Sequence, residues 1–143
     1  MFIGQYRHNL DSKNRLIIPA KFREGLGESF IVTKGLDGCL TVYTNEKWED
    51  MIQKLTQIPS TKKEARLYLR NIASKATECQ LDSQGRIQLP QFLIATADIK
   101  KSCVILGVAD HVEIWPEEHW DSYDEEASES FESIAETLTE FLQ

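Results

Sequence analysis

The sequence predicts an α+β, β-rich fold: two related halves packed about a pseudo-twofold axis, joined by connecting helices and followed by a C-terminal amphipathic helix. Three observations predict it. Leu10-Asp11-Ser12-Lys13-Asn14-Arg15-Leu16-Ile17-Ile18-Pro19 aligns with Leu81-Asp82-Ser83-Gln84-Gly85-Arg86-Ile87-Gln88-Leu89-Pro90, with five of the ten positions identical. The similarity continues at an offset of about 72, matching Gly35 with Gly107, Val42-Tyr43 with Ile114-Trp115, and Glu46-x-Trp48 with Glu118-x-Trp120. Each half, at roughly 45 residues, is too short to bury an adequate core alone, so each must complete the other.

The elements follow in order. Asp-Ser opens a turn by accepting hydrogen bonds from the backbone just ahead of it. Asn14 and Gly85 occupy equivalent places and are the residue types most tolerant of positive φ, so each repeat reads as a hairpin. Pro19 and Pro90 end the resumed strand, because proline has no N–H for a ladder, and each can serve as the first residue of a short helix. The first such helix runs from Ala20 to Leu26 and is closed by Gly25 and Gly27. A strand pair follows, 30–33 and 39–43, around the turn Lys34-Gly35-Leu36-Asp37-Gly38; its counterpart pairs 103–106 with 111–115 around Gly107-Val108-Ala109-Asp110. Trp48, Met51, Ile52, Leu55 and Ile58 keep helical spacing as far as Pro59. Thr61-Lys62-Lys63-Glu64 has the form of a capping box for a second connecting helix, with Leu69, Ile72 and Ala73 on its inner side. Trp48 and Trp120 open helices as core anchors. The expected units are 5–47, a helical connector 48–75, 76–119, and an acidic helix 120–143.

Composition narrows the function. At 41% hydrophobic and 27% charged, the chain can hold a core. No apolar run approaches the ~18 residues of a membrane span, and Met1-Phe2-Ile3-Gly4-Gln5-Tyr6-Arg7 lacks signal-peptide character, so a cytoplasmic location is expected. Cys39, Cys79 and Cys103 are isolated and odd in number, which fits buried thiols rather than a disulfide framework. His8, His111 and His119 lack metal-ligand spacing, and no nucleophile or phosphate-loop pattern is present, so neither metal, cofactor nor catalysis is expected. The net charge of −7 is unevenly spread. All 16 basic residues precede position 102, beside 11 of the 23 acidic ones, whereas 102–143 hold the other 12. The two ends of the chain therefore suit different partners.

Leu-Asp-x-x-Gly-Arg-hydrophobic-x-hydrophobic-Pro resembles the signature of AbrB-type swapped-hairpin DNA-binding domains. Two copies in a chain near 140 residues, with Met-Phe-x-Gly at the start and an added C-terminal helix, resemble the MraZ family of transcriptional regulators over essentially the whole chain. The resemblance implies two SpoVT/AbrB-like swapped-hairpin halves forming a small barrel. It implies sequence-specific binding of double-stranded promoter DNA, at the division and cell-wall gene cluster including the regulator's own gene. It implies a ring-shaped homo-oligomer, an octamer or dodecamer, on short G-rich direct repeats at the nucleoid, with no membrane or small-molecule substrate. The sequence departs from the pattern at Asn14, where glycine is commoner, and at Gln84, where a basic residue is expected; the helix after Pro90 also lacks a counterpart to Arg23. The two hairpins should therefore contribute unequally.

A two-stranded ribbon fits the major groove, and arginine reads guanine through a bidentate contact to O6 and N7. Arg15 and Arg86, just after their turns, are the candidate readers; Arg86 has the alternative of bracing the two halves. Lys13, Arg7, Lys21 and Arg23 are candidate phosphate contacts. Asp11, Asn14, Asp82 and Gly85 are expected to shape the turns, since a carboxylate facing DNA is repelled. Lys62, Lys63, Arg66 and Arg70 form a helix face or a subunit contact. The stripe Ala127, Phe131, Ile134, Leu138, Phe141 packs on its own or a neighbouring subunit, or turns a DNA-repelling face outward. An AbrB-type antitoxin or transition-state regulator is the alternative function.

Overall fold

A computed structural model describes residues 1–143 and contains eight strands and six helices. In the first half these are β1 (Phe2–Asn9), β2 (Arg15–Ile17), α1 (Ala20–Leu26), β3 (Ser29–Lys34), β4 (Leu40–Tyr43) and α2 (Asn45–Thr56). After α3 (Lys63–Lys75) the second half repeats the order with β5 (Thr77–Gln80), β6 (Arg86–Gln88), α4 (Gln91–Thr96), β7 (Ser102–Ala109), β8 (His111–Pro116) and α5 (Glu117–Glu129). Helix α6 (Phe131–Thr137) and a 3₁₀ turn at Thr139–Phe141 follow.

The strands form a six-stranded antiparallel sheet in the order β1-β7-β8-β4-β3-β5 and a separate two-stranded ribbon, β2-β6. Exchanging each strand for its counterpart reverses the sheet order without changing it, which is the pseudo-twofold symmetry expected from the repeat. Leu16 faces Ile87 in the ribbon and Thr41 faces Glu113 between β4 and β8, so the axis passes between these matched pairs.

The hairpins are exchanged. Strand β1 leads through its turn into β2, yet β1 pairs with β7 and β2 with β6; β5 and β6 divide in the same way between β3 and β2. This swap lets both halves bury one another. Phe30, Val32, Leu40, Val42, Cys103, Ile105, Val112 and Ile114 alternate along their strands onto one face, as the period of two requires. They share a core with Leu16, Ile18, Ile87 and Leu89 of the ribbon segments, and with Phe22, Leu26, Leu93 and Ile94 of α1 and α4. A smaller cluster on the opposite face joins Cys39, Val104, Leu106 and Trp115 to Trp120 of α5.

Several local expectations are corrected. The small barrel is not closed: β1 and β5 remain edges, because β2 and β6, three residues each, spend their hydrogen bonds on one another. Pro19 and Pro90 stand at the N-cap, one place before the helices begin. Gly25 lies inside α1, where a Cβ would meet the Phe2 ring at 2.8 Å, and only Gly27, at φ 84°, caps the end. The Thr61 capping box does not form, since α3 starts at Lys63 with no side-chain cap. Thr44 caps α2 instead, its hydroxyl accepting from the Lys47 N–H at 3.0 Å. Of the three residues expected on the inner side of α3, Ile72 is buried, Leu69 half-buried and Ala73 exposed. Trp48 is half-buried on the Tyr43 ring rather than in the main core. All three cysteines are buried and unpaired, and desolvation pushes their thiols up to about 12 (Cys39), 11 (Cys79) and 12 (Cys103), far from a reactive thiolate.

Candidate nucleic-acid interface

Each Asp-Ser turn is a compact hydrogen-bonded unit. Asp11 Oδ1 accepts from the backbone N–H groups of Lys13 (2.9 Å) and Arg15 (2.8 Å), and its Oδ2 accepts from Arg15 Nε at 2.6 Å. Asp82 repeats the pattern with Gln84 (2.9 Å), the Arg86 N–H (2.9 Å) and Arg86 Nε (2.8 Å). The backbone hydrogen bond donated by Arg15 is the main cause holding the Asp11 carboxyl at about 2, and the same arrangement lowers Asp82. Asn14 and Gly85 adopt φ 60° and 75°, the left-handed conformation that lets the chain reverse.

The swap brings these turns together at the two ends of one ribbon. Ile18 N–H donates to the Gly85 carbonyl and Leu89 N–H to the Asn14 carbonyl, both at 2.9 Å, so each turn is closed by the strand from the other half. Gln88 Nε2 donates to the Lys13 carbonyl at 3.1 Å.

The arginines differ in what they have left to offer. Aspartate holds each by Nε, which fixes the guanidinium plane and leaves the Nη end for outside partners. Arg15 Nη1 and Nη2 have no partner within the chain, whereas Arg86 Nη1 lies 3.9 Å from Asp11 of the other half. This approach spans the two halves and occupies one Nη of Arg86.

The remaining cations are scattered by the fold. Lys13 is exposed at the tip of the first turn and Lys21 on α1. Arg23 reaches from the first half over the second turn, where its Nε donates to the Ile18 carbonyl at 2.7 Å and its guanidinium covers Gly85. Arg7 does not join this group. It is paired with Asp121 at 2.7 Å and Glu117 at 3.6 Å, which ties β1 to the acidic helix α5.

Two lysines absent from the sequence-based set stand beside the first turn. Lys100 and Lys101 border a surface hollow shared with Asp11, Ser12, Asn14 and Gln91, and the Lys101 carbonyl accepts the Leu10 N–H at 2.8 Å. At the second turn the equivalent bond runs from Leu81 N–H to the carbonyl of Glu28, at 3.0 Å. The same backbone station thus carries a lysine in one half and a glutamate in the other. The signal lay in Asp98-Ile99-Lys100-Lys101, which replaces the shorter Gly27-Glu28; the length difference breaks the repeat's alignment at that place.

Paired Asp-anchored arginines on a ribbon exchanged between two half-chains define a tandem swapped-hairpin protein. A family model described as "MraZ protein, putative antitoxin-like" matches residues 1–71 and again 72–142. The chain is 51% identical over 141 residues to the "Transcriptional regulator MraZ" of Ligilactobacillus salivarius, covering 99% of each chain. It is 51% identical over 142 residues to the protein of that name from Desulforamulus reducens, covering 99% of this chain and 100% of the relative. A third relative with this name, from Natranaerobius thermophilus, is 50% identical over 141 residues, with 99% of each chain covered. The chain belongs to the MraZ family. It is a transcription regulator and not an enzyme, and no helix is long and apolar enough to cross a membrane.

Proposed function

We propose that the chain binds double-stranded promoter DNA sequence-specifically through the β2–β6 ribbon. One observation carries this reading: Arg15 is held at Nε by Asp11 while its Nη end stays unpartnered beside an exposed turn. Such an oriented fork suits the O6 and N7 acceptors of guanine, a contact worth roughly 1–3 kcal/mol of discrimination. Lys13, Lys21 and Arg23 supply phosphate contacts that set position. Arg7 is the weakest member of the set, since its acidic partners must first release it. Asp11, Asn14, Asp82 and Gly85 shape the turns, and Arg86 divides between base contact and bracing. The units 5–47 and 76–119 then act as one module, with 48–75 connecting them and 120–143 apart.

The promoter of the division and cell-wall gene cluster, including the regulator's own gene, is the target the resemblance implies, at the nucleoid. A modest local excess of positive charge makes one copy a weak binder. A ring homo-oligomer, an octamer or dodecamer, raises affinity through effective concentration and suits G-rich boxes in direct repeat about one helical turn apart. The test is titration of wild type, Arg15→Ala and Arg86→Ala against the chain's own upstream region over a range of salt. Arg15→Ala is expected to lose roughly tenfold or more of its preference for the G-rich boxes over a scrambled site. Uniform weakening with unchanged preference overturns base readout by Arg15. The antitoxin wording of the family model supports a second reading, which predicts a small toxin co-purifying with the chain.

A further inference from the structure

The outer face of the β2–β6 ribbon holds more than its two arginines. Leu16 and Ile87 are buried, so alternation turns Arg15 and Ile17 of β2, and Arg86 and Gln88 of β6, away from the core. Arg15 stands opposite Gln88 and Ile17 opposite Arg86, which sets the four side chains in one patch of neighbouring cross-strand pairs. Ile17 is 38% exposed and Gln88 is exposed as well. The two occupy the same station of the repeat, each two residues before its proline. That station is therefore aliphatic in one half and an amide in the other, beside arginines that Asp11 and Asp82 hold alike. The amide is already oriented. Gln88 Nε2 donates to the Lys13 carbonyl at 3.1 Å, which leaves Oε1 and the second Nε2 hydrogen for an outside partner.

We propose that Ile17 and Gln88 read A·T pairs beside the guanines, Ile17 by contact with the 5-methyl group of thymine and Gln88 by a bidentate contact to N6 and N7 of adenine. The inference rests on DNA binding by the β2–β6 ribbon as proposed above and names two further bases it reads. The thymine methyl is the apolar feature of the major-groove base edges, so it suits an exposed aliphatic side chain set beside Arg86. Adenine presents an amine donor next to the N7 acceptor, the complement of an amide with its oxygen and one hydrogen unused. Outward residues of one strand lie about 6.6 Å apart, close to two base-pair rises of about 3.4 Å. The bases met by Ile17 and Arg15 therefore lie about two pairs apart. Arginines paired about a twofold axis favour a box that reads alike in both directions. Ile17 set against Gln88 gives the box one direction, as a direct repeat requires.

The test measures binding of full-length chains to their own upstream region with single bases of one box replaced. Deoxyuridine in place of thymidine removes only the 5-methyl group, and 7-deazaadenine in place of adenine removes only the N7 acceptor; both keep base pairing. Wild type is expected to lose about fourfold in affinity at one thymine of the box and about fivefold at one adenine. Ile17→Ala should be indifferent to deoxyuridine at that thymine and keep the adenine penalty, and Gln88→Leu should do the reverse. Each comparison is made within one variant, so a general weakening by the substitution cancels. Wild type that is insensitive to every replacement overturns the inference, and a variant that keeps its own penalty overturns it for that residue. If such a wild type still prefers its boxes to a scrambled site, and Arg15→Ala removes that preference, readout by the ribbon stands and the inference alone falls. A wild type with no preference for the boxes overturns both.

Discussion

The two Asp-Ser turns share one backbone plan and differ in what surrounds it. At the first, the tip residue is Lys13 and the flanking carbonyl belongs to Lys101; at the second, these places are held by Gln84 and Glu28. Arg15 keeps its Nη end unpartnered, while Arg86 leans toward Asp11 across the axis and Arg23 covers Gly85. The duplicated backbone serves the fold, since each turn is closed by the strand of the other half. The side chains then differ: the first turn carries Lys13 and the unpartnered Nη end of Arg15, while at the second Arg86 approaches Asp11 and Arg23 covers the glycine.

The largest test of that division is at the left-handed positions. Gly85→Ala should cost about 1–3 kcal/mol in strain. It should also displace the Arg23 guanidinium from the Ile18 carbonyl, a hydrogen bond worth about 1 kcal/mol. Asn14→Ala should cost less, because Asn14 already carries a Cβ at φ 60° and loses only a 3.3 Å hydrogen bond to Gln91. Urea unfolding of both variants, with Gly85→Ala repeated in an Arg23→Ala background, measures the coupling. Equal losses at the two turns would break the comparison.

Charge reversal at the shared backbone station should act more gently, and on DNA rather than on folding. Lys101→Glu is expected to weaken promoter binding uniformly and to reduce the slope of log Kd against log salt by about one. Glu28→Lys should move both quantities the other way. An unchanged salt slope for Lys101→Glu removes that lysine from the interface.

The smallest effect is on acid stability. The Asp11 carboxyl lies below its ordinary 3.8, at about 2, so its stabilisation is present above pH 3.8 and is lost as pH falls through about 2. Asp11→Asn should therefore flatten the decline of Tm across that window. Asp82→Asn should flatten it less, since Asp11 faces two arginines and Asp82 one. A profile for Asp11→Asn that overlays wild type throughout contradicts the assignment.

Much of this site is legible in the sequence because its forces are local. An aspartate reaching N–H groups two and four residues ahead, and an asparagine or glycine at positive φ, need nothing beyond their own turn. The helix Ala20–Leu26 could be read to the residue for the same reason, from a preceding proline and a following glycine. Where local signals compete, reading fails. Thr61 and Glu64 have capping-box spacing, yet a turn closed by the Lys62 N–H on the Pro59 carbonyl at 3.0 Å precedes α3, which starts at Lys63, and Arg66 Nη1 donates to the Ser60 carbonyl at 2.7 Å. Arg7 stands near the motif in sequence, but β1 carries it to α5, where Asp121 and Glu117 pair with it.

The sequence by itself determined the repeat, the two turns, the positions that reverse the chain, and the need for two incomplete halves to share a core. Tertiary structure alone decided that β2 pairs with β6 rather than with β1, that the sheet stays open at β1 and β5, and that Arg86 meets Asp11 while Lys100 and Lys101 flank the first turn. The reason is range. Turn geometry is set by bonds spanning four residues or fewer. A strand's partner is set by where the apolar side chains of both halves, Leu16 against Ile87 at the axis, can leave water together.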